Sequence, residues 1–429
     1  MKNILILATV GGFLDKFERG NVKILQEMGY TVHYAANLRE PHYQYDEREI
    51  IALGVRVHHI DIARSPYMVR YNVAAFKQLC RIILENDILA IHCHTPVGGM
   101  LGRMMGRKFA GRGLKVVYTA HGFHFYKGAP LVNNTAYYLA EWVMARYTDV
   151  LVTINREDFR NALDLPLKNP KRVFEIPGVG VDLNRFTPMH EEERRARRKE
   201  LGIPEGDVFF VSVGELNENK NQMVILKALS YLRESGKDIS RVHYGICGDG
   251  FYEEKIQREI YIRRLEDNVK LYGYRRDVEN VIGCADFSVF PTVREGLGMA
   301  GLEALAMGIP LLASRNRGTR EYLHNGINGY FCNARDEKNW AAGLQKIMCL
   351  TTAQREKMAG NCRKSVLPFA RERTEAVMRK VYWELDAAVE EARAAMRPSG
   401  QEEEAKCRKK KMHETTSCQW KKCESWHRR

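Results

Sequence analysis

A chain of 429 residues exceeds what one hydrophobic core organises, so two domains of ordinary size are expected. A hydrophobic share of 45% with 10% aromatic residues excludes a disordered chain, and no run of about 18 apolar residues offers a membrane-spanning helix. The formal net charge of +14 calls for an anionic partner: phosphate, anionic lipid or nucleic acid.

The chain opens with "MKNILILATVGG", a short apolar run without the cleavage site of a signal peptide, so a buried first strand is expected. Seven of the ten Cys are scattered singly, which suits reduced thiols in a cytosolic protein. "NILILA" reads as a strand, and Asp15–Gly29 as a helix ended by its glycine. "TVHYAA", "VRVHHI", "ILAIHCH", "KVVYTAH" and "DVLVTIN" read as further strands. Helical patterns over Val69–Leu84 and Met100–Ala110 lie between them. Strands alternating with helices make this an α/β chain with a parallel sheet covered on both faces. "EIPGVGVDLNRFTP" (Glu175–Pro188) carries Pro and Gly and reads as a connection, giving a first domain over 1–177 and a linker over 178–190.

A second series follows over 191–370. "DVFFVSVG" leads into a helix Asn221–Glu234, and "VHYGICGDG", "VKLYGY", "FSVFPT" and "PLLAS" continue the strands. Two doubly wound domains in tandem place ligands at the carboxyl ends of their strands, hence in the cleft between them. After Ala341 the chain reads as helical to about Met396. From Pro398 the hydrophobic period ends, and 397–429, with ten Lys/Arg against five Asp/Glu, reads as a basic, disordered tail. Cys418, Cys423 and His427 in it fit no zinc module.

Five stretches offer chemistry. Gly11 and Gly12 follow the first strand; they make either a tight turn or a close backbone approach to a phosphate at a helix N-terminus. His92 and His94 share one face of a strand, but with no third ligand in the pattern no metal is expected. His121 follows an apolar strand and projects from its carboxyl end, as a structural imidazole or as a donor to phosphate and sugar oxygens. Lys220 lies after the strand that ends at Gly214, near the next helix start. The macrodipole prefers an acid there, so the lysine is either a solvated surface group or sits with an anion. In "REGLGMAGLEALAMGIP", one continuous helix would set Glu295 and Glu303 about 80° apart. A loop containing Glu295, then a helix from near Ala300 bearing Glu303, fits the glycines better. N–H groups at Gly298 and Met299 could then hold an anion, and the two acids accept bonds from hydroxyls; a capping acid plus a surface acid is the alternative.

"EGLGMAGLEALAMGIPLLAS" resembles the E-x7-E signature of retaining glycosyltransferases of family 4, which have the GT-B fold. With "GGF", "AHGFHFYKG", "IPGVGVDLNRF", "SVGELNENKN" and "CGDG" the resemblance spans about residues 1–390, and it is most similar to the bacterial capsular and exopolysaccharide enzymes. It implies two Rossmann-like domains facing a central cleft, with helix 371–396 crossing back to the first. It also implies a site: Glu295 at the donor sugar hydroxyls, Glu303 at the ribose and Lys220 at the diphosphate. His121, Lys220 and Glu295 would be catalytic. Gly11, Gly12, Gly214, Gly248, Gly298 and Met299 would complete the donor site, with Tyr272–Asp277 flanking the base. One departure stands out. The family commonly carries Arg where this chain has Glu215, which trades a cation near the diphosphate for an acid; Arg275, Arg294 and Arg315 are the candidate replacements.

The implied reaction moves a sugar from a nucleotide-diphosphate donor, UDP-sugar favoured, to a polyprenyl-diphosphate-linked acceptor in surface polysaccharide synthesis. The nucleotide sugar is a substrate, so no cofactor is implied, and no metal is required. Residues 64–127 hold ten Lys/Arg against only Glu85 and Asp87. Val69, Val73, Phe76, Cys80 and Ile83 follow helical spacing, with Arg70, Lys77 and Arg81 off that stripe and Arg103, Arg107 and Lys108 in the next helix. These cations suit an anionic membrane surface, hence a cytoplasmic protein peripheral on the inner face of the plasma membrane, or else a solvated basic face. A non-hydrolysing nucleotide-sugar epimerase shares the architecture and remains the alternative. A nucleic-acid partner is not expected, since few aromatics interleave with the basic tail.

Overall fold

The computed structural model describes residues 2–39, 45–126 and 131–396. The expected tail over 397–429 lies outside the described residues. Strands β1 (Lys2–Val10), β2 (Tyr30–Asn37), β3 (Arg56–His59), β4 (Ile88–His94), β5 (Lys115–Ala120), β6 (Val150–Thr153) and β7 (Val173–Glu175) form one sheet. Its order is β3-β2-β1-β4-β5-β6-β7, with every pairing parallel. Strands β8 (Val208–Val213), β9 (Val242–Cys247), β10 (Val269–Gly273), β11 (Phe287–Phe290), β12 (Leu311–Ser314) and β13 (Gly329–Cys332) form a second parallel sheet, ordered β10-β9-β8-β11-β12-β13. Near-continuous apolar runs form these strands because helices cover both faces. In β1 every residue from Ile4 to Val10 is buried.

Chain order reverses between β1 and β4 in the first sheet and between β8 and β11 in the second, and ligands of such sheets gather outside those crevices. The segments after β1, β5, β8 and β9 carry Gly12, His121, Gly214 and Gly248. Strands β7 and β13 have no counterpart in the sequence reading: one ends in Glu175 and the other starts at Gly329, both are only partly buried, and neither shows an apolar run.

Helix Arg371–Met396 follows the second sheet in the chain yet packs on the first. Its Tyr382 hydroxyl meets His92 Nδ1 at 2.9 Å, and its Asp386 accepts from Lys2 and Tyr30, both at 2.7 Å. The linker is tied to the start of this helix by backbone bonds from Arg371 N to the Val181 oxygen (2.9 Å) and from Val181 N to the Phe369 oxygen (2.8 Å).

Two expectations for the basic segment need correction. Helix Val69–Glu85 buries Asn72, Ala75, Leu79, Ile82 and Ile83, whereas Val69 and Val73 are 62% and 48% exposed. The helix turns a neighbouring stripe inward, because apolar residues populate both. Arg103 is not at the surface: it is buried, its Nη1 bonds Glu141 Oε2 at 2.5 Å, and its guanidinium lies 4.0 Å over the Tyr118 ring. Arg70, Lys77, Arg81, Arg107 and Lys108 are exposed.

Candidate active site

The two sheets face each other across a cleft of about 1110 Å³. Gly12 lines it from the first domain; Gly214, Gly248 and Glu303 line it from the second. A glycine is required at 248: its φ is +143°, and a Cβ there would collide with the Gly214 carbonyl oxygen. The two strand ends therefore pack backbone to backbone, leaving room above them. Gly11 sits beside the cleft under Tyr45, whose ring occupies the space a side chain would need.

The expected helix from Asp15 begins as a π-helical turn, Leu14–Glu18, before the α-helix Arg19–Glu27. Such turns are often found at functional sites. Positions two apart on a helix point to opposite sides. Lys16 thus lines the cleft, while Glu18 turns inward and is 1% exposed. Burial lowers the Lys16 pKa from its ordinary value, and the charge of Glu303 across the cleft pulls it back up. Burial likewise raises Glu303, against Lys16 first and Arg185 second. An acid of the second domain thus faces a cation of the first across the cleft. Lys16 is the cation the sequence reading missed; its position four residues after Gly12, with Lys16 N bonded to the Gly12 oxygen at 3.2 Å, was the available signal.

Glu303 stands on helix Met299–Ala306, and Glu295 in the loop before it. Lys220 precedes helix Met223–Glu234, and its Nζ donates to Glu295 Oε2 at 2.6 Å. The anion expected beside this lysine is thus supplied by the chain itself. The lysine stem passes the Gly214 turn on the wall of the cleft. Gly298 and Met299 begin the Glu303 helix but do not line the cleft; the Gly298 oxygen accepts from the buried Tyr322 hydroxyl at 3.1 Å.

His121 directly follows β5 and bonds His94 through Nε2 and Nδ1 at 3.1 Å, and burial pushes its pKa down to about 4, so it is neutral at pH 7. Behind it lies a buried group: His92, His94 and Glu18, their ligand atoms within 4.8 Å of one another. Glu18 is the third member absent from the sequence pattern. Both His92 nitrogens are already engaged, by Tyr382 Oη at 2.9 Å and Thr119 Oγ1 at 2.8 Å. Glu18 Oε2 lies 3.4 Å from His94 Nε2, a contact too poorly aligned to satisfy that nitrogen.

The domains touch beside the cleft. Gly296 packs so closely on the His121 carbonyl that any side chain would collide. Asn155 Nδ2 donates to the Gly296 oxygen at 3.0 Å. Arg317, 8% exposed, joins Asp158 at 2.8 Å and the Phe123 oxygen at 2.8 Å. Of the cations considered as replacements at Glu215, Arg275 lines the cleft but is held by Asp277 at 2.7 Å, while Arg294 and Arg315 face a different cavity.

Comparison with known proteins accounts for this geometry. The family of "Glycosyl transferases group 1" matches residues 193–365, and "Glycosyl transferase 4-like" matches residues 4–154. EpsD of Bacillus subtilis (strain 168), named as a glycosyltransferase, is 36% identical over 381 residues, 89% of this chain and 96% of that protein. The UDP-Gal:alpha-D-GlcNAc-diphosphoundecaprenol alpha-1,3-galactosyltransferase of Escherichia coli is 27% identical over 270 residues, 63% of this chain and 68% of that one. Among solved structures, Anabaena Alr3699/HepE in complex with UDP and glucose has a TM-score of 0.70 at 16% identity, covering 90% of this chain and 100% of its own. WaaG, a glycosyltransferase involved in lipopolysaccharide biosynthesis, has a TM-score of 0.68 at 16% identity, covering 89% and 99%. With sequence kinship along nearly its whole length and two Rossmann-like domains beneath it, the chain belongs to the group 1, family-4-like glycosyltransferases of GT-B fold.

Proposed function

We propose that this glycosyltransferase moves a sugar, with retention, from a UDP-sugar to a polyprenyl-diphosphate-linked acceptor in surface polysaccharide synthesis. The observation that carries the reading is that Lys16 and Glu303 line, from opposite domains, one cleft floored by Gly12, Gly214 and Gly248. Glycine turns admit a diphosphate to the backbone, Lys16 takes the cationic part vacated at Glu215, and Glu303 accepts from ribose hydroxyls. The Escherichia coli relative is named for a UDP-sugar and a diphosphoundecaprenol-linked sugar, and the Anabaena structure holds UDP, both of which favour this donor and acceptor.

The leaving group is a nucleoside diphosphate, so catalysis needs charge stabilisation and positioning. Lys220 and Lys16 stabilise the departing phosphate, and neutral His121 donates to the donor. Glu295, already held by Lys220, orients the sugar through its hydroxyls instead of attacking it. The acceptor oxygen then bonds the anomeric carbon on the face from which the diphosphate leaves. The acceptor proton passes to the departing phosphate oxygen. No metal is required in this scheme, and turnover in a chelator tests that.

Membrane contact belongs to the same reading. Tyr67, Met68, Val69, Tyr71 and Val73 are exposed beside Arg70, Lys77 and Arg81, and Lys108 of the next long helix reaches over the Phe76 ring. An apolar strip among cations suits the anionic inner face of the plasma membrane, with the protein peripheral in the cytoplasm. Flotation with anionic liposomes tests it, and recovery independent of lipid charge and salt overturns it.

The deciding experiment is a panel of UDP-, GDP- and dTDP-sugars read by thermal shift, followed by product analysis with and without acceptor. Selective stabilisation by a UDP-sugar and transfer to the acceptor are expected. A new nucleotide sugar formed without acceptor would make the protein an epimerase instead.

A further inference from the structure

A second cavity, of about 290 Å³, lies where the domains meet. Tyr126 and Glu157 line it from the first domain, and Arg294, Glu295, Arg315, Arg317 and Arg320 from the second. Four guanidiniums around so small a space repel one another unless acids or a ligand intervene. Arg317 is committed to Asp158, and Arg320 to Glu157 at 3.3 Å. Glu295 is committed to Lys220. Arg294 and Arg315 have no carboxylate partner among the described residues. Both are steadied by rings: Arg294 lies 5.9 Å over Tyr126, and Arg315 lies 5.6 Å over Phe331. Both guanidiniums are exposed at the cavity, so solvent screens them yet leaves their forks open to phosphate oxygens.

The position of the cavity says which phosphate. The Lys220–Glu295 pair is a partition: the lysine stem runs past Gly214 on the wall of the large cleft, and Glu295 lines the small cavity. A donor seated in the large cleft reaches this partition with its sugar end, so whatever fills the small cavity approaches from the acceptor side. We infer that Arg294 and Arg315 seat the diphosphate of the acceptor, bringing its sugar hydroxyl toward the donor sugar that Glu295 holds. The inference rests on the proposed transfer to a diphosphate-linked acceptor. Because Arg294 adjoins Glu295 in the chain, the seated phosphate lies within a short glycan's length of the reacting carbon. The acceptor is therefore a lipid-diphosphate carrying one or a few sugars, not a long chain.

The test compares two acceptors with the same terminal sugar, one a polyprenyl-diphosphate glycoside and the other an alkyl glycoside without phosphate. Wild type is expected to show the lower KM for the first, and inorganic pyrophosphate should compete with it. Arg294→Ala and Arg315→Ala should each raise the diphosphate-acceptor KM about tenfold and weaken the pyrophosphate competition. The KM for the alkyl glycoside and for the donor, and kcat, should hold. Equal KM values for both acceptors in wild type, or a rise in donor KM in the variants, would overturn the inference. Inhibition by pyrophosphate against donor alone would make the cavity part of the donor site and overturn it too. An epimerase product would remove the proposed function along with the inference; transfer with unchanged acceptor KM in the variants would remove the inference alone.

Discussion

Glu18 offers the most quantitative test of the site's inner wall. It is 1% exposed, accepts from Asn21 Nδ2 at 2.7 Å and has no Lys or Arg against it among the described residues. Burial pushes its pKa up to about 8, against about 4.3 for an unfolded glutamate. Between those values the folded chain keeps a proton that the unfolded chain has released, so stability falls as pH rises through the window. Below it both states are protonated and the term vanishes. At about 1.4 kcal/mol per unit, wild type should lose roughly 3–4 kcal/mol relative to Glu18→Gln between about pH 5 and pH 8. The glutamine carbonyl still accepts from Asn21, so the comparison isolates the charge. The assay is urea unfolding of both proteins across that range, with the carboxylic-acid carbonyl band in infrared spectra as an independent readout. A difference between the two that does not change with pH, or a carboxylate band at neutral pH, would refute the reasoning.

Three further outcomes follow from the same contacts. Lys220→Ala and Glu303→Ala should each cut turnover at least about tenfold with an unchanged circular dichroism spectrum, and wild-type rates in both would remove these residues from the site. Gly248→Ala forces a side chain onto the Gly214 carbonyl, so it should cost about 1–3 kcal/mol of stability and weaken the UDP thermal shift; calorimetry reads both. Arg317→Ala strands buried Asp158 without its partner, so it should destabilise by about 3–5 kcal/mol and open the domains in solution scattering, with Asp158→Asn restoring part of the loss.

Much of the architecture is local information. Apolar runs of strand length, glycines at strand ends and helical periods between them specify two parallel sheets, since each signal is read within a few residues. The same holds for the loop-then-helix placement of Glu295 and Glu303, which the glycines around them dictate. What needed tertiary structure is which side chains share a space. Apolar residues on two neighbouring stripes of Val69–Glu85 left its inner face undecided until it packed, and Arg103 went inward because Glu141 and Tyr118 were there to receive it. Lys16 faces Glu303 across the cleft, and Glu18 approaches His94, over long separations along the chain. Arg294 and Arg315 line the smaller cavity instead of the large cleft. The sequence by itself determined the two sheets and the turns at their ends, because propensity and period act over neighbours. Only the docking of one domain on the other decided which charges face one another in the site, Lys16 across from Glu303 above all, because that contact sets which distant charges share a low-dielectric space.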